Sequence, residues 1–79
     1  MYYVYILKSC KDGSNYVGIA TDLRKRIKEH NCRSNKFTDY KRPYKLIWYS
    51  TFLDKIKAYK FEKYLKTGSG IAFLRKHLI

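Results

Sequence analysis

An Asp12-Gly13 pair stands between two short runs of tyrosine and aliphatic residues, and it constrains this chain more than any other feature. Asp-Gly flanked by apolar runs is the strongest short-range hairpin signal, because the favoured two-residue turns need positive φ angles. Tyr2 to Lys8, dense in Tyr, Val, Ile and Leu, reads as a strand with both faces at least partly covered, and Asn15 to Ala20 returns as its antiparallel partner. With Asp12 and Gly13 as the two loop residues, Lys11 pairs with Ser14 and Leu7 lies opposite Gly18. Alternation then places Tyr5, Leu7, Tyr16 and Gly18 on one face. A one-residue change in the loop would send the two tyrosines to opposite faces.

Thr21 and Asp22 supply a helix N-cap and an acidic start for a helix running to about His30 or Asn31. Leu23, Arg26, Ile27 and His30 recur at helical spacing and form its inward stripe, while Arg24, Lys25, Lys28 and Glu29 fall on the other side. A basic loop from Cys32 to Pro43 follows, and then a third strand from Lys45 to Phe52. Asp54 caps a second helix reaching about Lys66, with Ala58, Phe61 and Leu65 along one side. Gly68, Ser69 and Gly70 are expected to break it before a short last helix with Ile71, Leu74 and Leu78 inward. The order β-β-α-β-α-α predicts an α+β fold, a small three-stranded antiparallel sheet with helices packed on it.

The 79 residues make one domain, residues 1–79, and a chain this short buries only roughly 60% of the surface its unfolded form exposes. Nine Tyr, four Phe and one Trp argue against disorder. Cys10 and Cys32 do not form a C-x-x-C pair, and a secreted domain of this size would carry more cysteines. No signal segment opens the sequence and no run approaches the ~20 apolar residues of a membrane span, so a reducing cytoplasm is the expected compartment and no membrane partner is expected. Eighteen Lys and Arg against six acids give a net charge of +12, which a polyanion would relieve.

Six carboxylates are easily sorted. Asp12 belongs to the turn, Asp22 and Asp54 to helix starts, Asp39 to the basic loop, and Glu29 to the exposed side of the first helix. Glu62 remains, at the edge of a buried stripe, and reads either as a functional carboxylate or as the i,i+4 ion-pair partner of Lys66. Arg26 alone could lay its methylenes over the core, and His30 alone could be a satisfied helix histidine. Together, one turn apart on the inward side, they make a site candidate. Phe37, Tyr40 and Tyr44 among the basic loop's cations suit base stacking. The sequence has neither a Walker P-loop nor a G-x-G-x-x-G fingerprint, and Cys10, His30, Cys32 and His77 lack zinc-ligand spacing.

Tyr3-Val4-Tyr5 and Tyr16-Val17-Gly18 resemble the paired signature of the GIY-YIG nucleases, with Tyr3 where the first glycine of that name would stand. Thr21 to His30 resembles the family's first helix, with Arg26 at its arginine position and His30 where members carry histidine or tyrosine. Glu62 matches the single glutamate of the later helix, and Glu62 to Gly70 resembles the ending of short, stand-alone, bacterial-type members. The resemblance implies a divalent-metal-dependent endonuclease acting on nucleic acid, with DNA the expected polymer. Glu62 would hold one Mg²⁺ or Mn²⁺, Arg26 would grip the scissile phosphate, Tyr5 or Tyr16 would activate water, and His30 would orient that water or the tyrosine. Gly18 would permit a close backbone approach, and Lys25, Arg33, Lys36, Lys41 and Arg42 would hold flanking phosphates. A non-catalytic binding module, or one active only with a protein partner that supplies specificity, is the alternative.

Overall fold

The computed structural model describes residues 1–31 and 42–78. Its elements are β1 (Tyr2–Ser9), β2 (Asn15–Ala20), α1 (Leu23–His30), β3 (Tyr44–Phe52), α2 (Lys55–Leu65) and α3 (Gly68–His77). The sheet order is β2-β1-β3, with both pairings antiparallel. Thus the expected α+β architecture and β-β-α-β-α-α order are observed. Among the described residues, no helix is long and apolar enough to cross a membrane.

The central strand explains why three layers form. Val4, Tyr5, Ile6 and Leu7 are all fully buried, so β1 is covered from both sides. Val4 and Ile6 join Val17, Ala58, Leu65 and Leu74 in a core against α2 and α3. Tyr5 and Leu7 point the other way, joining Ala20 and Tyr44 beneath Leu23 and Ile27 of α1. Each large aliphatic side chain fully withdrawn from water contributes about 1.5–3 kcal/mol, enough to make this strand the axis of a thin fold. The outer strand β3 absorbs an irregularity: Ile6 pairs with Trp48 but Leu7 with Leu46, leaving Ile47 as the extra residue of a bulge.

The hairpin register differs from expectation. Tyr5 lies opposite Gly18 and Leu7 opposite Tyr16, two positions from the predicted pairing. The cause is a longer loop: the Ser9 amide donates to the Ser14 carbonyl, the Gly13 amide donates to the Ser9 carbonyl, and four residues make the turn. The Ser9 hydroxyl accepts from the Lys11 and Asp12 amides, and Asp12 Oδ1 accepts from the Ser14 amide. Because the slip is an even number, the side chains keep their faces.

Helix ends follow side-chain chemistry. The Asp22 carboxylate accepts from the Lys25 amide and the Asp54 carboxylate from the Ile56 amide, each satisfying a first-turn donor. Gly68, Ser69 and Gly70 do not separate two helices by a loop, contrary to expectation; they form the first turn of α3, capped by Thr67 Oγ1 accepting from the Gly70 amide. A Cβ on Gly70 would collide with the backbone of Tyr64 and Leu65, so glycine there lets α3 cross closely over the end of α2. Of the three residues expected inward on α3, Leu74 is buried and Leu78 partly so, but Ile71 is exposed.

Candidate active site

The α1 face of the hairpin carries the candidate chemistry. Tyr5 and Tyr16, on neighbouring strands, hold their ring centroids 6.4 Å apart. α1 ends beneath them with His30, which is 1% exposed. Tyr5 Oη lies 3.0 Å from His30 Nε2, and the imidazole centroid is 4.5 Å from that of Tyr16 and 6.0 Å from that of Tyr44. Three tyrosines therefore enclose the histidine, far from the half-buried placement expected of an ordinary helix residue.

Burial sets the protonation of this pair. It lowers the His30 pKa below the usual imidazole value, with Arg26 acting in the same direction and Glu29 opposing. Burial also raises the Tyr5 pKa well above that of a free phenol, helped by Tyr16, opposed by Arg26, and raised further by Glu29 and Glu62. Both shifts favour a neutral imidazole and a protonated phenol. The Tyr5 hydroxyl accordingly donates to His30 Nε2, an assignment drawn from these environments.

Gly18 is part of the same arrangement. A Cβ there would overlap the Tyr5 hydroxyl and ring and press on Tyr16. The close approach that glycine permits is thus made by the Tyr5 phenol, within the protein, and Gly18 is itself buried. His30 is further fixed by its neighbour. Asn31 Oδ1 accepts from the Tyr44 amide at 2.6 Å and Asn31 Nδ2 donates to the Tyr44 carbonyl at 3.2 Å, tying the end of α1 to the start of β3. Nothing in the spacing of residues marked Asn31 for this bridge, since its partner is thirteen residues away.

Arg26 departs from the predicted stripe. Leu23 and Ile27 turn inward, whereas the Arg26 side chain is 46% exposed, its Nε 3.8 Å from a Glu29 oxygen. Exposed pairs of this kind contribute about 0–1 kcal/mol, so Arg26 can exchange Glu29 for another anion at little cost. Its effect on both Tyr5 and His30 shows that it lies within electrostatic reach of the cluster. Glu62, on α2, is the weakest of the charges that act on the Tyr5 phenol. Glu62 is buried, at 8% exposure, and is ion-paired with Lys66, the partner that its i,i+4 spacing predicts.

Among the described residues, no group of three or more His, Cys, Asp or Glu side chains converges on a point. A cation here would have Glu62 as its protein ligand, with water and phosphate completing the shell. That single hard oxygen donor suits Mg²⁺ or Mn²⁺ and does not suit structural zinc.

The other expected contacts divide. Lys25 is exposed on α1, as a phosphate contact requires. Arg42 donates from Nη1 to the Asn31 carbonyl at 3.4 Å. Tyr44, expected to stack on bases, is instead buried against His30, because β3 begins one residue earlier than predicted and carries it into the core. Arg33, Lys36, Phe37, Tyr40 and Lys41 lie outside the described residues.

A family model described as the GIY-YIG catalytic domain matches residues 1–70. A UPF0213 protein of Staphylococcus saprophyticus is 45% identical over 69 residues, 86% of this chain and 83% of its own length. Another, from Clostridium perfringens, is 47% identical over 68 residues, 84% of this chain and 71% of its own. The solution NMR structure of a UPF0213 protein from Bacillus halodurans superposes with a TM-score of 0.58 at 36% identity, covering 96% of this chain and 84% of that one.

Proposed function

The chain belongs to the GIY-YIG family, and from that premise we propose that it is an endonuclease hydrolysing phosphodiester bonds in nucleic acid with the help of a divalent cation. The observation that carries this reading is the Tyr5 phenol, hydrogen-bonded to the buried His30 with the Tyr16 ring packed on that histidine, in a chain that the GIY-YIG catalytic-domain model matches. With Arg26 and Glu62, these tyrosines would supply what phosphodiester hydrolysis needs: an oriented nucleophile, charge on the phosphoryl oxygens and a cation anchor.

Burial separates the two tyrosines. Tyr5, 1% exposed and with its pKa raised, keeps its proton and holds His30 in one tautomer. Tyr16 is only partly buried, leaning on the His30 ring, and is the phenol that water can reach. It is the group that positions the attacking water, with His30 fixing its ring. Arg26 releases Glu29 and clamps the scissile phosphate with its planar fork. Glu62 anchors the cation, which when bound supplies charge stabilisation at the leaving 3′ oxygen. Lys25 holds a flanking phosphate, as do Arg33, Lys36, Lys41 and Arg42 of the basic loop.

Cleavage of labelled DNA and RNA substrates, single-stranded, duplex and branched, tests this with Mg²⁺ or Mn²⁺. Cutting that requires the cation and falls about 100-fold or more in both Glu62→Gln and Arg26→Ala, while binding persists, is the expected result. Tight, salt-dependent binding without cutting would sink the enzymatic reading in favour of a binding module. Cutting that appears only when a cellular fraction is added would point to a partner-dependent subunit.

A further inference from the structure

β2 is an edge strand, so its outer backbone groups face away from the sheet. Between its first residues and the corner where α2 meets α3 lies a groove of about 470 Å³. Ile71, which is exposed, gives it apolar surface beside the core residues Val17, Leu65 and Leu74, and Lys66 and Arg75 also line it. No acidic residue is among the described residues that line it. A volume of this order admits one small ligand, and the pairing of apolar surface with two cations calls for a group that is part apolar and part anionic.

Two lining residues also belong to the candidate active site. Lys66 is the ion-pair partner of Glu62, while Tyr16 lines the groove from the edge strand and turns its ring to the other face of the sheet, onto His30. The groove therefore adjoins the candidate site at the Lys66–Glu62 pair. We propose that it seats the nucleotide adjoining the scissile phosphate, with sugar and base against Ile71 and Val17 and with Arg75 and Lys66 on the phosphates. This rests on the nuclease reading for the position of the scissile bond, but not for the binding of a strand. Lys66 makes the link between the two sites. Its side chain is 52% exposed on a flexible stem, whereas the Glu62 side chain is 10% exposed and fixed by α2. When a strand enters, Lys66 leaves Glu62 for the phosphate, and the carboxylate oxygens become free for a cation.

The test is binding of a fluorescein-labelled oligonucleotide by anisotropy, in EDTA and across a salt series. Arg75→Gln and Lys66→Gln each should weaken binding roughly three- to tenfold and flatten the salt dependence by about one charge. Lys57→Gln, an equal charge loss on the exposed side of α2, should change it less than about twofold. Amide shifts on titration should concentrate at Ser14–Val17 and Lys66–Arg75. If both groove variants fall no further than Lys57→Gln, the groove is not the seat of the strand. The exchange is read by a double-mutant cycle: Glu62→Gln should tighten binding about threefold with Lys66 present, and by less than half that in the Lys66→Gln background. Equal tightening in both backgrounds would overturn it. Loss of the nuclease reading, with no cleavage by the wild type, leaves these binding results intact. Cleavage that depends on Glu62 with silent groove variants would reject the groove alone.

Discussion

At Gly18 a single missing carbon decides whether the Tyr5 hydroxyl can reach His30. A methyl group there would overlap the phenol, which is fully buried and hydrogen-bonded to His30 in close-packed surroundings. Gly18→Ala is therefore expected to cost about 1–3 kcal/mol, measured by urea unfolding, with Tyr5→Phe in the same chain recovering part of the loss. No change in the unfolding midpoint would mean that Tyr5 moves freely and the cluster is not fixed. The histidine provides a second handle. Its folded-state pKa lies below 6.5, so between the two values the unfolded chain binds more protons than the folded one. Stability from a neutral His30 is fully present above 6.5 and is lost as pH falls through the folded value. Tyr5 has the opposite arrangement, and its contribution is lost only as pH rises beyond 10. Unfolding midpoints should decline between about pH 7 and pH 5, and His30→Asn should flatten that decline. An unchanged slope in the variant would assign it to other groups.

At the level of elements, Asn31 acts as a rivet. Its side-chain amide offers Tyr44 one donor and one acceptor, as a neighbouring strand would, and so holds the last turn of α1 over the sheet. Asn31→Ala leaves both Tyr44 backbone groups without this partner, at an expected cost of about 1–3 kcal/mol, and should raise hydrogen exchange at Tyr44 and around His30. Asn31→Asp keeps the acceptor and should fall between; a wild-type melting temperature in both variants would show the bridge to be dispensable. The contrast with the caps is instructive. Asp22, Asp54 and the Asp12-Gly13 turn act on backbone groups two or three residues away, so the order of elements and most of their ends could be read from spacing. Asn31 acts across thirteen residues, and Gly70 is required by an approach of α3 to α2 that no local pattern displays. The hairpin faces were legible because alternation survives an even slip, but the register was not, since the Ser9 hydroxyl organises a four-residue turn. At the candidate site, His30 and Glu62 stood out as polar residues near apolar stripes. The outward swing of Arg26 and the placement of Tyr44 in the core depend on tertiary packing.

Over the whole molecule, the charge of +12 acts on stability and on binding with opposite signs. Exposed cations on α1, α2 and the last turn of α3 repel one another in the free protein, and six acids are too few to neutralise them. Added salt screens that repulsion over a distance of about 10 Å at 0.1 M and should raise the melting temperature by several degrees between low and moderate ionic strength. Binding of a polyanion responds the other way. Each phosphate contact releases condensed counterions, so about five contacts to duplex DNA would cost on the order of 10⁴ in affinity for a tenfold rise in salt. Melting curves and anisotropy titrations over the same salt series separate the two effects. A melting temperature that falls with salt would mean that favourable ion pairs, such as Lys66 with Glu62, outweigh the repulsion. An affinity indifferent to salt would mean that the surplus of cations is not what holds the nucleic acid, and the contacts would then have to lie in the apolar surface of the groove and the exposed tyrosines.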